Sequence, residues 1–307
     1  MKRAVSVSLG TSRRDFTSRV RIAGREVEVR RIGCDGSVER LAALLRELDG
    51  RVEAIGLGGL NFAYRVAGRS YPVPQAARLR RLVRGTPLVD GSFLKDTLER
   101  WVVGHLEEEH GLRWRESSVL VASVLDRFGL AEEMHRRGAR VLAGDVFFAL
   151  HLPGPFLDLG AFGLVARALL PALRLVPLTW LYPLGAEQDR PGRAGLRLKG
   201  VQVLAGDCHL LLHRLPEDLR GRMVLVNSLW PEEERLLRAR GAAGVATTMP
   251  PVEGRSWSAN AWEAALHAAL GDALYRYSGE GLARLLMDAG LRPKVEVFRE
   301  RQGFPSR

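Results

Sequence analysis

Apolar residues along this chain come in short runs, and between the runs they recur at helical spacing. The sharpest instance lies at 119–145. Val119-Leu120-Val121-Ala122-Ser123 is a strand-length run, the segment from Asp126 to Arg137 mixes polar and apolar positions ahead of Gly138, and Arg140-Val141-Leu142-Ala143-Gly144-Asp145 is a second run. Strand, helix, helix stop and strand in that order predict a βαβ unit. The phrase Val-Leu-Ala-Gly-Asp that closes the unit returns intact at 203–207. Two apolar strands that each end in a carboxylate suit an open parallel sheet, whose ligands bind outside the strands' carboxyl edges. Gly-Asp is equally a common turn after a strand.

The remaining pattern predicts two lobes. In the first, over 1–115, strands at 4–9, 52–57 and 86–89 alternate with hairpins around Ala23-Gly24 and Ala67-Gly68. Its helices run from Ser37 to Leu48, over 75–83 and from Phe93 to about Glu109. In the second, over 116–274, strands at 201–205, 223–227 and 244–248 follow the βαβ unit, with helices at 231–240 and 257–270. Pro231 and three glutamates in the first turn suit a helix start. The fold class is therefore α/β: a C-terminal Rossmann-like open sheet plus an N-terminal α/β lobe. A helix and a tail fill 275–307. The insert at 146–184 is rich in Leu, Phe, Ala and Pro, yet Asp158, Arg167, Pro171, Arg174 and Pro177 interrupt it. A membrane helix needs about 20 uninterrupted apolar residues, so the insert is expected to be core or interface between protomers, giving a homodimer and no stable membrane insertion, with contact at a membrane surface as the lesser alternative.

Composition narrows the classes further. Hydrophobic content of 46% over 307 residues supports a soluble, well-packed protein. Two cysteines far apart, Cys34 and Cys208, and the absence of a signal-peptide pattern point to the cytoplasm. The net charge of +11 invites a nucleic-acid reading. However, only Lys2, Lys95, Lys199 and Lys294 are lysines, and the arginines are spread along the chain and mixed with glutamate. That is a general arginine bias rather than a basic patch, and no nucleic-acid partner is expected. A lysine kept in such a chain stands out, because lysine can be tuned to lose its proton and arginine cannot.

Three segments could carry chemistry. In Thr86-Pro87-Leu88-Val89-Asp90-Gly91-Ser92-Phe93-Leu94-Lys95, Asp90 ends a strand and Lys95 lies one turn into a helix, a pairing suited to proton transfer in alcohol–ketone chemistry. A capped helix with a surface Lys reads the same way. In Thr247-Thr248 to Ser256, a strand end, Arg255 and Ser256 before a helix suggest an anion site. In Gly10-Thr11-Ser12-Arg13-Arg14, hydroxyls and two arginines could hold a substrate carboxylate. His209 and His213, four apart beside Cys208, have no further cluster to make a metal site, and none is expected. After the first core strand, Ser123-Val124-Leu125-Asp126-Arg127-Phe128-Gly129 stands where a dinucleotide fold carries Gly-x-Gly-x-x-Gly.

Several phrases resemble a known family. Ser-Leu-Gly-Thr-Ser-Arg-Arg-Asp at 8–15, Ile-Gly-Leu-Gly-Gly at 55–59, Thr-Pro-Leu-Val-Asp-Gly-Ser-Phe-Leu-Lys-Asp-Thr-Leu-Glu at 86–99, Leu-Asp-Arg-Phe-Gly-Leu-Ala at 125–131 and Glu-Gly-Arg-Ser-Trp at 253–257 are similar to a bacterial family labelled quinate 5-dehydrogenase. The resemblance implies an N-terminal substrate lobe, a Rossmann lobe and a Lys–Asp catalytic pair. Lys95 would be the lysine, with Asp90 or Asp126 as its partner. It implies NAD or NADP as cofactor. The strand ends and turns read from the sequence would place that cofactor near Ser123, Arg127, Asp145, Asp207, Thr248, Arg255 and Ser256, and a small acidic metabolite on Ser12, Arg13 and Arg14. The family's usual Asn-Val-Thr-x-Pro-x-Lys motif is absent here. Two functions are thus expected to compete. One is an NAD(P)-dependent oxidoreductase of quinate- or shikimate-like cyclic hydroxy acids. The other is a Rossmann-like non-redox enzyme or regulator that binds a phosphorylated or carboxylated metabolite.

Overall fold

The computed structural model describes residues 1–148, 156–173, 175–176 and 198–298. The chain forms two compact units. The first comprises Met1–Thr97, Arg167–Arg190 and Ser258–Leu291, and the second Leu98–Ala166, Pro191–Trp257 and Arg292–Arg307.

The first unit is built on strands β1 (Lys2–Ser8), β2 (Phe16–Ile22), β3 (Arg25–Gly33), β4 (Ala54–Gly58) and β7 (Leu88–Val89), in the order β2-β3-β1-β4-β7. β3, β1, β4 and β7 run parallel, and β2 is antiparallel to β3. Val7 stands opposite Ile32 on one side and Leu57 on the other, so the middle of the sheet is apolar and buried. The hairpin of β5 (Ala63–Val66) and β6 (Arg69–Pro72) stands apart as a small sheet. The turns at Ala23-Gly24 and Ala67-Gly68 have positive φ at both residues, the geometry that matches strand twist in a two-residue loop. The helix Val38–Leu48 starts where the Ser37 hydroxyl accepts from Arg40 N, and it buries Leu41 and Leu45.

The helix Ala259–Leu270 covers this sheet. The sequence pattern places it in the second lobe, but it packs on β1, β3 and β4 of the first unit. It is apolar on nearly every side and buried along almost its whole length, so its hydrophobic pattern names no particular partner. What selects the sheet is shape. A Cβ on Gly56 of β4 would strike the Asn260 carbonyl, and the Asn260 amide donates to Ser6 Oγ at 2.7 Å. The opposite transfer occurs at the helix Leu98–Glu108. Assigned with the first lobe from the sequence, it belongs to the second unit and packs on the helix Phe128–Arg136.

The second unit carries strands β8 (Ser118–Val121), β9 (Arg140–Ala143), β10 (Leu157–Asp158), β11 (Val203–Gly206), β12 (Met223–Val226), β13 (Gly244–Thr247) and β16 (Val295–Val297), in the order β10-β9-β8-β11-β12-β13-β16. The five inner strands are parallel, and the two edges are antiparallel. This is the doubly wound order, with the chain leaving β8 toward β9 and later returning to β11 on its other side. Helices at Phe128–Arg136, Cys208–Arg214 and Pro231–Ala239 connect the parallel strands. Leu120, Leu204, Val224, Val226, Val245, Leu211 and Leu237 form the apolar core beside the sheet. The hairpin β14 (Pro251–Val252) and β15 (Arg255–Ser256) turns at Glu253-Gly254, both at positive φ.

Of the apolar insert, a helix at Leu159–Leu173 runs through Pro171. It buries Leu159, Phe162, Ala166 and Leu170, while Leu164 and Leu169 are 67% and 50% exposed. The rest of the expected insert, at 149–155, 174 and 177–184, lies outside the described residues, as do 299–307 at the end of the expected tail. Among the described residues no helix is long and apolar enough to cross a membrane.

Candidate functional site

In the first unit, polar side chains gather beyond the carboxyl ends of β4 and β7. Asp90 follows β7 and is buried. One of its oxygens accepts from Phe62 N at 2.6 Å and the other from Ser92 N at 3.0 Å. Lys95, on the short helix Ser92–Asp96, is half-buried and donates to Asn61 Oδ1 at 2.9 Å, so it does not extend into bulk solvent. Glu263, from the covering helix, completes the group. Its carboxylate accepts from Phe93 N at 3.2 Å. Burial, reinforced by the negative charge of Asp90, pushes the Glu263 pKa up to about 8, against the opposing pull of the Phe93 N–H and Lys95. Tyr275 packs edge-on against Phe93 at 5.1 Å. Burial first, then Glu263, raise its pKa to about 12, so its hydroxyl keeps its proton. A neutral carboxyl, a carboxylate and a lysine thus share one buried corner, the kind of arrangement that exchanges protons with a bound hydroxyl.

The turn after β1 closes on itself. Asp35 accepts from Ser12 N at 2.7 Å, Thr11 Oγ1 from Arg13 N at 3.3 Å, and Asp15 pairs with Arg31 at 2.9 Å. The backbone N–H of Ser12 is therefore taken by Asp35. Arg13 and Arg14 lie in the short helical turn Ser12–Arg14 that follows β1.

In the second unit the two copies of Val-Leu-Ala-Gly-Asp form β9 and β11, which flank β8 on either side. Their aspartates therefore stand on both sides of the turn that leaves β8, but they do different things. Asp145 reaches into that turn. It accepts from Val124 N at 2.8 Å, Leu125 N at 2.9 Å and Ser123 Oγ at 3.1 Å. Burial pushes its pKa up to about 6 against those three donors. Asp207 instead caps its own helix, accepting from His209 N at 2.9 Å. Between them lies Arg127, buried, with its guanidinium on Glu99 and within 3.6 Å of Asp126 and 3.9 Å of Asp207. Burial alone would lower the Arg127 pKa, but Glu99, Asp126 and Asp207 outweigh it and hold the group charged. Thr248 donates to the same Glu99 at 3.3 Å.

Of the expected cofactor residues, the structure thus brings Ser123, Arg127, Asp145, Asp207 and Thr248 to one edge of this sheet, together with Asp126, which was expected as a catalytic partner of Lys95. It does not form the expected anion site at 253–256. Arg255 is exposed on a hairpin strand, and its guanidinium lies over the Trp230 ring, 5.0 Å from the centroid. Ser256 N bonds to Leu229 O, and the Ser256 hydroxyl is buried with no hydrogen-bond partner among the described residues. The tight hairpin turn, not a helix start, sets Arg255's direction. Asp126 pairs with Arg127 within the second unit at 3.6 Å.

Asn61, Glu263, Glu99 and Asn227 are absent from the expected site. Glu263 has a signal in the sequence: a lone acid in an otherwise apolar helical stretch. Asn227 likewise ends an apolar strand. Nothing local marks Glu99, which is buried against Arg127 and Thr248 from other elements.

A nicotinamide dinucleotide seats its pyrophosphate on free N–H groups of the first βα turn. Here Asp145 holds the Val124 and Leu125 N–H groups, and no glycine opens the turn before Gly129. The residues present do not fit a pyrophosphate at that turn while Asp145 occupies it.

The doubly wound sheet with its polar carboxyl edge makes the second unit a Rossmann-like α/β domain, joined in one chain to a second α/β unit. The chain belongs to the family described as Domain of unknown function (DUF8754), whose model matches residues 93–298. A second model, Domain of unknown function (DUF8753), matches residues 3–90. No curated protein matches the chain. Among solved structures, it is similar to a hetero-hexameric glutamate dehydrogenase from Thermus thermophilus (15% identity, 95% of this chain and 77% of that one, TM-score 0.41). It is also similar to an ABC transporter solute-binding protein from Burkholderia multivorans (12% identity, 96% and 99%, TM-score 0.37). A third similarity is to a dipicolinate synthase chain from Bacillus halodurans (13% identity, 94% and 97%, TM-score 0.28).

Proposed function

We propose that the protein is an enzyme that binds a small polyhydroxylated acid in its first unit and moves a hydroxyl proton there, as an oxidoreductase of quinate- or shikimate-like cyclic hydroxy acids does. The observation that carries this reading is the corner made by Lys95, Asp90, Asn61 and Glu263. Lys95 is the group that takes the proton from the reacting hydroxyl or returns it. Asn61 orients the ammonium, and Asp90 fixes the loop at Phe62 and Ser92 on which the corner is built. Arg13 and Arg14 supply positive charge for the acid group on the same sheet edge. The resemblance to quinate dehydrogenases supports NAD or NADP as the hydride acceptor. The turn held by Asp145 favours a second reading, in which the same proton-transfer corner serves a non-redox enzyme, or the same sheet edge binds a carboxylated or phosphorylated metabolite for regulation.

A thermal-shift series separates the two, because a ligand that binds only the folded state raises the melting temperature. A shift with quinate or shikimate and with a nicotinamide nucleotide supports the first reading. A shift with acids alone supports the second. No shift with either class removes both. Once a turnover assay exists, Lys95→Met is expected to abolish it while moving the melting temperature by only a few degrees, since a half-buried polar residue contributes little to packing. We also propose a homodimer, motivated by Leu164 and Leu169 exposed on one apolar helix. Light scattering that gives the mass of one chain at micromolar concentration would remove that proposal.

A further inference from the structure

We infer that Glu263 is a positioning residue for Lys95: its carboxyl caps the short helix that carries the lysine and acts on the lysine's charge. The role rests on the reading of Lys95 as the group that moves the hydroxyl proton. The helix Ser92–Asp96 is five residues long and starts after Gly91, which has no side chain to cap it. A helix this short does not hold its shape alone. Its first internal bond runs from Lys95 N to Gly91 O at 3.1 Å. The N–H groups of Ser92, Phe93 and Leu94 therefore need acceptors from outside the helix. Asp90 takes that of Ser92 at 3.0 Å. Glu263 takes that of Phe93 at 3.2 Å, and the Leu94 N–H pulls on the same carboxyl. The covering helix is seated close enough to do this. Gly91 has a φ of +85°, and a Cβ there would stand 2.7 Å from Asn260 N, so the segment before Lys95 lies directly on the first turn of that helix. Glu263 follows one turn later.

A cap alone does not require an acid. Glu263 is 4% exposed, in a helix that is apolar on nearly every side, and a glutamine there would accept from Phe93 N as well. What the acid adds is a charge that responds to Lys95. Burial and Asp90 disfavour the ionised carboxylate, while the Lys95 ammonium favours it. Coupling between two titrating groups is mutual, so ionisation of Glu263 is felt at Lys95. Tyr275 also senses Glu263 and Asp90, together with Asp272 and Arg80. His267, one turn further along the covering helix, packs on the Tyr275 ring at 5.8 Å. These are the other ionisable groups around the carboxyl among the described residues.

The test reads Lys95 in the full chain and needs no turnover assay. Lysine labelled with 13C at Cε gives one signal for each of the four lysines, and Lys95→Arg identifies the one at 95. The Lys95 signal is expected to shift in a step centred at about pH 8, where Glu263 ionises. Glu263→Gln is expected to abolish that step and to leave the signals of Lys2, Lys199 and Lys294 unchanged. Hydrogen exchange of 92–96 reads the cap. Glu263→Ala is expected to speed exchange at Phe93 and Leu94 about tenfold, the size of one lost hydrogen bond. Glu263→Gln is expected to keep the wild-type protection, because its amide oxygen still accepts. Should Glu263→Ala fail to fold, the glutamine variant carries the test through the lost step and the kept protection. A wild-type Lys95 signal without a step near pH 8, a step that survives in Glu263→Gln, or wild-type exchange in a folded Glu263→Ala overturns the inference. None of these readouts uses a ligand. If no hydroxy acid binds and the step is present, the proton-transfer reading fails while the positioning of Lys95 stands.

Discussion

Glu263 shows what one residue gains from its surroundings. Its carboxyl stands at about 8 rather than the usual 4.5, chiefly because burial disfavours the charge and Asp90 adds to that. Between those two values the folded chain keeps a proton that the unfolded chain releases. The stabilising contribution is therefore fully present below about 4.5 and lost as pH rises to about 8. Glu263→Gln keeps the shape and removes the titration. Urea midpoints of wild type and variant are expected to converge at the acid end of this window and to separate at the alkaline end, with the variant the more stable there. Parallel curves across the window would show that Glu263 does not titrate in it. Lys95, Asp90 and the arginines at 13 and 14 were legible as residue types at strand ends. Asn61 and Glu263 were not, because each acquires its role from a partner far away in sequence, Lys95 for the one and Asp90 for the other.

At the level of elements, a repeated phrase makes two equal strands with unequal ends. Val-Leu-Ala-Gly-Asp forms β9 and β11 alike, yet Asp145 locks the turn after β8 while Asp207 caps its own helix. The helix Ala259–Leu270 shows the same dependence on a neighbour. It sits close to the first sheet because β4 presents Gly56 below the Asn260 carbonyl. Gly56→Ala puts a methyl into backbone that has no room to shift, and a loss of about 2 kcal/mol or more is expected from overpacking. Chemical denaturation with an unchanged m-value would measure it. A loss under about 0.5 kcal/mol, the range of ordinary surface substitutions, would mean that the helix is not held at this spacing.

At the scale of the whole molecule, the first unit is discontinuous, since the chain leaves it after Thr97, re-enters it at Arg167 and returns to it again at Ser258. The fragment 1–97 therefore lacks the helix that covers β1, β3 and β4, and its apolar face would meet water. It is expected to show no cooperative thermal transition, whereas 1–97 joined by a flexible linker to 258–291 is expected to show one. A cooperative transition of 1–97 alone by circular dichroism would contradict this. The hydrophobic pattern by itself determined most of the elements, the α/β class and the Rossmann-like sheet, because strand and helix periods and turn residues are local properties written every few positions; it missed the break at Thr97, which divides one expected helix into Ser92–Asp96 and Leu98–Glu108, and the hairpin at 251–256. It also marked most of the residues at the strand ends. The tertiary structure alone decided which sheet owns the helices at 98–108 and 259–270, that Asp145 fills the turn where a pyrophosphate would sit, and that Glu99 and Glu263 are buried among charges. Those outcomes depend on shape, burial and charge contributed by segments as much as 254 residues apart, and a local pattern carries no record of them.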